Sequence, residues 1–158
     1  MTSEAVKAQG ADPQDTIFGK IIKKEIPAKI IYEDDSVIAF HDICPQAPVH
    51  FLVLPKERID MFENITEQDS DILMKVLLTA KNIAKSLNLK DGYRIVINNG
   101  RHGCQSVKHL HVHVFGGRQM GWPPGTSFSV FQALWYYICL CRNLMIFKVT
   151  SWMGFKQD

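Results

Sequence analysis

The sequence has almost no net charge. Its 18 Lys and Arg against 16 Asp and Glu leave +2, too little to argue a nucleic-acid partner electrostatically. Lys20, Lys23, Lys24, Lys29 and Lys56 are scattered and suit a solvated surface. Cysteine is scarce too. Cys44, Cys104, Cys139 and Cys141 are too few and too unevenly placed for a disulfide framework, which fits a reducing compartment. Cys139-Leu140-Cys141 lacks the second pair that a zinc site of this kind needs. No secretory apolar segment opens the chain. Residues 1–15 lack arginine and carry Glu4, Asp12 and Asp15, which argues against a mitochondrial presequence. Residues 1–14 read as a flexible polar arm, punctuated by Gly10 and Pro13.

What is present suits one domain with extensions: 158 residues, 46% of them hydrophobic. Asp15 or Thr16 can cap a short helix whose apolar side is Ile17, Phe18, Ile21 and Ile22. Lys29–Glu33 and Val37–Phe40 flank the acidic turn Asp34-Asp35-Ser36 and predict a hairpin. Pro45 and Pro48 then enforce a loop. Val49–Leu54 is a strand on which His50, Leu52 and Leu54 share a face. Thr66 opens a long helix, with Asp69 completing a capping box. Ile72, Val76, Ala80, Ile83 and Leu87 recur at helical spacing, and Asn88 or Gly92 ends the element. Tyr93–Asn98 is a further strand. The order predicts an α+β domain with a mainly antiparallel sheet and one long and one short helix.

Composition changes after Trp122-Pro123-Pro124-Gly125. Half of the aromatic residues fall within 126–158, and 126–141 carry no charge. That run is shorter than the roughly 20 residues a membrane helix needs. Extending it brings in Arg142, so an anchor is a poor fit. An extra packed element or an aggregation-prone appendage are the other readings of this extension.

The most informative stretch is His109-Leu110-His111-Val112-His113-Val114-Phe115, closed by Gly116-Gly117. Strict alternation predicts a strand with three imidazoles on one face and aliphatic residues toward a core. Three stacked imidazoles each need a partner, so mere packing is a weak explanation. A metal site and a phosphate-handling catalytic site compete. His109 and His113 would stand about 13 Å apart, so one zinc ion would recruit a ligand from elsewhere. His41, His50, His102 and Asp42 are the candidates.

With these residues in view, the chain resembles the histidine triad proteins of the Hint branch, the histidine triad nucleotide-binding proteins, over about residues 15–125. The likeness rests on Asp15-Thr16-Ile17-Phe18-Gly19-Lys20-Ile21-Ile22, Phe40-His41-Asp42-Ile43, Pro45-Gln46-Ala47-Pro48, His50 to Lys56, Gly92-Tyr93-Arg94, Gln105-Ser106-Val107, and the triad through Met120. The resemblance implies a histidine triad fold with a five-stranded sheet. It implies a homodimeric purine nucleoside phosphoramidase that hydrolyses the P–N bond of adenosine 5′-phosphoramidates through a nucleotidyl-histidine intermediate, releasing AMP and an amine. It needs neither metal nor cofactor. By the same carry-over His111 is the nucleophile, His113 contacts phosphate and leaving group, and His109 and His50 support the imidazoles. Asp42 falls at the ribose hydroxyls and Ile43 at the base. Asn98 and Ser106 fall at phosphate or leaving-group contacts, Gln105 among the nucleotide-binding residues, and Trp122 near the site. A cytoplasmic location is expected, with the nucleus a second compartment.

Elementary chemistry agrees. A neutral imidazole can attack phosphorus and leave again, and a second can protonate the departing amine. Asp42 can accept from two vicinal hydroxyls, or simply cap a turn. Ser106 also reads as a strand-entry hydroxyl, Trp122 as packing, and His41 and His102 as surface residues. The sequence departs from the family at Cys104, where a second glycine is common, and in the chain after Gly125. A non-catalytic nucleotide-binding regulator, its extension recruiting a partner, is the alternative from another class.

Overall fold

The computed structural model describes residues 16–122. The expected arm (1–14), the cap candidate Asp15, the Cys139–Cys141 pair and the extension (126–158) lie outside the described residues. The chain divides into two compact units, Met1–Met120 and Gly121–Asp158. Among the described residues no helix is long and apolar enough to cross a membrane.

Helix α1 spans Ile17–Ile22, and Thr16 caps it by accepting the Gly19 N–H at 3.1 Å. Strands β1 (Ile30–Glu33) and β2 (Val37–His41) form the hairpin. Asp34 holds its turn, accepting the N–H groups of Ser36 and Val37 at 2.8 Å each. Strand β3 covers Val49–Pro55. The Thr66–Asp69 capping box forms, but it opens a 3-10 turn, Glu67–Asp69, and helix α2 runs from Ser70 to Ser86. Asn88 follows in the left-handed conformation (φ 60°), one of the few non-glycine residues that tolerates it. Strands β4 (Tyr93–Ile97) and β5 (Val112–Gly116) complete an antiparallel sheet of five strands, ordered β1-β2-β3-β5-β4.

The period-two pattern sorts the side chains onto two faces. Val37, Ala39, Phe51, Val53, Val112 and Val114 pack with Val76, Ala80 and Ile83 of α2. Ile38, Phe40, Leu52 and Leu54 pack with Phe18 and Ile21 of α1 on the other side. Register pairs Leu52 with His113 and His50 with Phe115, so the histidines share the α1 face. Ile17, expected on the apolar side of α1, is exposed instead.

One expectation is corrected. The histidine strand begins at Val112, not His109. The Pro55 carbonyl meets the His109 ring and the His109 carbonyl meets the His111 ring. The Leu110 N–H donates to the Ile59 carbonyl, and β3 ends at Pro55, which has no N–H to give a further pair.

Candidate active site

Hydrogen-bond partners fix the protons on these imidazoles. A carbonyl only accepts, so each ring nitrogen facing one must carry hydrogen. His111 Nδ1 lies 2.6 Å from the His109 carbonyl, which leaves Nε2 as a bare lone pair. His109 Nε2 lies 2.8 Å from the Pro55 carbonyl. Its Nδ1 is buried and has no partner among the described residues.

His50 works the other way. The Gln46 backbone N–H donates to His50 Nδ1 at 3.2 Å, so the hydrogen of the neutral ring sits on Nε2. That Nε2 lies 3.0 Å from His113 Nδ1. His113 therefore accepts at Nδ1 and carries its own hydrogen on Nε2. The triad thus holds a bare nitrogen on His111 beside an N–H on His113, with ring centroids 4.9 Å apart.

Burial keeps this set uncharged. It pushes the His111 ring below the usual histidine range, against the opposing pull of the His109 carbonyl and Asp42. Burial, then the neighbouring His111 and His50, push His113 down to about 3. His50 and His109 are also lowered, chiefly by burial. Phe18 of α1 closes the floor, its ring edge-on to His111 at 5.0 Å. His50 is flanked by Phe115 at 4.2 Å.

The loop Asp42–Pro48 carries further candidates. Asp42 accepts the Cys44 N–H on Oδ1 at 2.7 Å, the turn role, while Oδ2 stands 3.6 Å from His50 Nε2. Ile43 is 88% exposed, an apolar side chain with nothing covering it among the described residues. Gln105 commits its amide internally: Oε1 accepts from Gly100 N–H, and Nε2 donates to the Asp60 and Val107 carbonyls. Asn98 follows β4 directly and is half-buried, as is Ser106. Trp122 is exposed and belongs to the second unit. His102 is exposed, and His41 half-buried at the end of β2. Sequence reasoning missed the Gln46 N–H, because a backbone donor leaves no mark in residue type.

Cys104 adopts φ 60°, the left-handed conformation that glycine fills without strain. Gly103 beside it is obligatory, since a Cβ there would stand 2.4 Å from the Asn99 carbonyl oxygen.

Asp42, His50 and His113 offer one donor atom each within 4.8 Å of one another. Asp and His are zinc ligands, and tetrahedral donors stand about 3.3 Å apart, so the set fits zinc in type and spacing. A zinc ion there would act as a Lewis acid. Holding it would take the His50 Nε2 and His113 Nδ1 lone pairs and expel the hydrogen between them.

Imidazoles with fixed protons, two on adjacent strands (His50 and His113) and two on the segment leading into β5 (His109 and His111), define a histidine triad protein. The HIT domain family matches residues 23–120, and the chain belongs to that family. It is 58% identical to the 14 kDa zinc-binding protein of Brassica juncea over 113 residues, 70% of this chain and 100% of that protein. It is 54% identical to Adenylylsulfatase HINT1 of Arabidopsis thaliana over 129 residues, 79% of this chain and 88% of that protein. The crystal structure of a HIT family hydrolase from Legionella pneumophila Philadelphia 1 matches with TM-score 0.69 and 45% identity, over 70% of this chain and 100% of that one.

Proposed function

We propose that this chain is a nucleotide hydrolase, specifically a purine nucleoside phosphoramidase acting through an adenylyl-histidine intermediate. The observation that carries the reading is the pairing of a bare His111 Nε2 with an N–H on His113 Nε2. His111 Nε2 attacks the α-phosphorus and the P–N bond breaks. The departing nitrogen takes the His113 Nε2 proton and leaves as the amine. Adenylyl-His111 is then cationic, and it offsets the negative charge left on His113, which the His50 Nε2–H also stabilises. Water next attacks phosphorus and returns a proton to His113. The phosphorus–His111 bond breaks, AMP departs and both rings are neutral again.

Asp42 is proposed at the ribose and Ile43 at the base, where its exposure supports the role. Asn98 and Ser106 are proposed at phosphate or leaving-group contacts, and Gln105 at the nucleotide through the loop it braces. A homodimer is proposed too. Strand β4 is an edge of the sheet, exposing Ile95, and Met74 and Leu78 are exposed one turn apart on α2.

The name of the Arabidopsis thaliana relative supports a second substrate, adenylyl sulfate, through the same intermediate. The test is full-chain turnover of an adenosine 5′-phosphoramidate, with acid-quenched mass spectrometry for adenylylated protein. The expected result is AMP, amine and a transient adduct, all lost in His111→Asn while AMP binding persists. Nucleotide binding without product would favour the regulator instead.

A further inference from the structure

The site needs His50 to donate toward His113, and nothing in the His50 ring itself chooses that direction. Two neighbours make the choice: the Gln46 N–H donates to Nδ1 at 3.2 Å, and Asp42 Oδ2 stands 3.6 Å from Nε2. That N–H lies in the Pro45–Gln46 peptide of an exposed loop, so its aim depends on how the Gln46 residue itself is anchored. The Gln46 carbonyl accepts from an Arg118 guanidinium N–H at 3.1 Å, across 72 positions of sequence. A second guanidinium N–H of Arg118 donates to the Gln119 carbonyl at 3.1 Å. The Gln46 side chain braces the loop from within, donating to the Cys44 carbonyl at 2.9 Å. Gly117 brings Arg118 close: at φ 82°, a Cβ on it would stand 3.0 Å from Pro48 Cβ.

We propose that Arg118 is a positioning residue for the imidazole relay, anchoring Gln46 by its carbonyl so that the Gln46 N–H stays on His50 Nδ1 and His50 and His113 each keep their hydrogen on Nε2. The inference rests on the phosphoramidase reading for its kinetic consequence, but not for its structural one. Arg118 touches no reacting atom. Its removal loosens Gln46, and whenever the Gln46 N–H leaves Nδ1 only Asp42 still favours hydrogen on Nε2, so His50 samples the opposite tautomer, which presents a lone pair to His113 Nδ1. Two facing lone pairs repel, and His113 loses its preference for hydrogen on Nε2.

The test compares Arg118→Ala and Arg118→Lys in the full chain. Nitrogen-15 NMR of the histidine rings reads the tautomers without any substrate. The expected result is a single Nε2–H tautomer for His50 in the unaltered protein and in Arg118→Lys, and a mixture in Arg118→Ala. Steady-state kinetics give the second readout. Arg118→Ala should lower kcat for an alkylamine phosphoramidate by on the order of tenfold, about what one hydrogen bond is worth. KM should hold, and adenylyl sulfate, whose leaving group needs no proton, should suffer the smaller loss. A single unchanged His50 tautomer in Arg118→Ala overturns the proposal, as does an equal loss for both substrates with a raised KM. If the unaltered protein cleaves neither substrate, the phosphoramidase reading fails, and the NMR comparison alone decides the role of Arg118.

Discussion

His50 Nε2 lies 3.0 Å from His113 Nδ1, a contact between neighbouring strands that joins residues 63 positions apart. It gives His113 an acceptor role on one nitrogen and a donor role on the other. The kinetics of the two leaving groups follow from that division of labour.

His113→Ala removes the proton source but leaves the His111 nitrogen in place. An alkylamine cannot leave from phosphorus without a proton, whereas sulfate can. Turnover of an alkylamine phosphoramidate should fall by about 10²-fold or more, the usual worth of a general acid. Adenylyl sulfate turnover should fall far less. Parallel steady-state assays measure both, and equal losses would assign His113 to binding rather than proton transfer.

Cys104 stores backbone strain. A non-glycine residue in the left-handed region costs roughly 1–2 kcal/mol. Cys104→Gly relieves that strain and also loosens the unfolded chain, so the net gain should be about 1 kcal/mol. Urea denaturation would show the midpoint rising. A midpoint that drops would mean that the thiol makes a stabilising contact.

Acid should weaken the fold well before the carboxylates titrate. His50, His109, His111 and His113 all have folded pKa values below the unfolded histidine value, which is near 6.5. Below about pH 6.5 the unfolded chain binds more protons than the folded one, so stability falls as pH drops toward the folded values. His113, at about 3, carries the loss furthest. The denaturation midpoint should decline between pH 7 and pH 5. A flat midpoint across that window would mean that these rings charge freely in the folded state.

Zinc and the His50–His113 hydrogen bond exclude each other, because both use the same lone pairs. Chelators should therefore leave phosphoramidate turnover unchanged, and added zinc should inhibit it. His50→Ala should weaken zinc binding in calorimetry. Turnover abolished by chelators and restored by one equivalent of zinc would reverse the assignment.

Much of this was legible in the sequence because the residues carry their own instructions. The period-two run placed His50 with Leu52 and Leu54, and the 3.6 period of Val76, Ala80 and Ile83 located α2. The Thr66–Asp69 box was readable as a cap. The limits were equally physical. Alternation at His109–His111 mimicked a strand, yet the Leu110 N–H turns to the Ile59 carbonyl and β3 runs out at Pro55. The direction of the relay depends on a Gln46 backbone N–H, and its brace on an arginine 72 residues away. Neither leaves a local pattern.

The position of β5 between β3 and β4 has a consequence for the birth of the protein. A nascent chain extended only through α2 already holds β1, β2, β3 and His50, but not its partner His113. The non-local β3–β5 pairing must wait for later residues and for closure of the long intervening loop. On the proposed function, reactivity toward nucleotides then waits for the docking of β5, which brings His113 to His50. Until that moment the growing polypeptide on the ribosome is chemically silent.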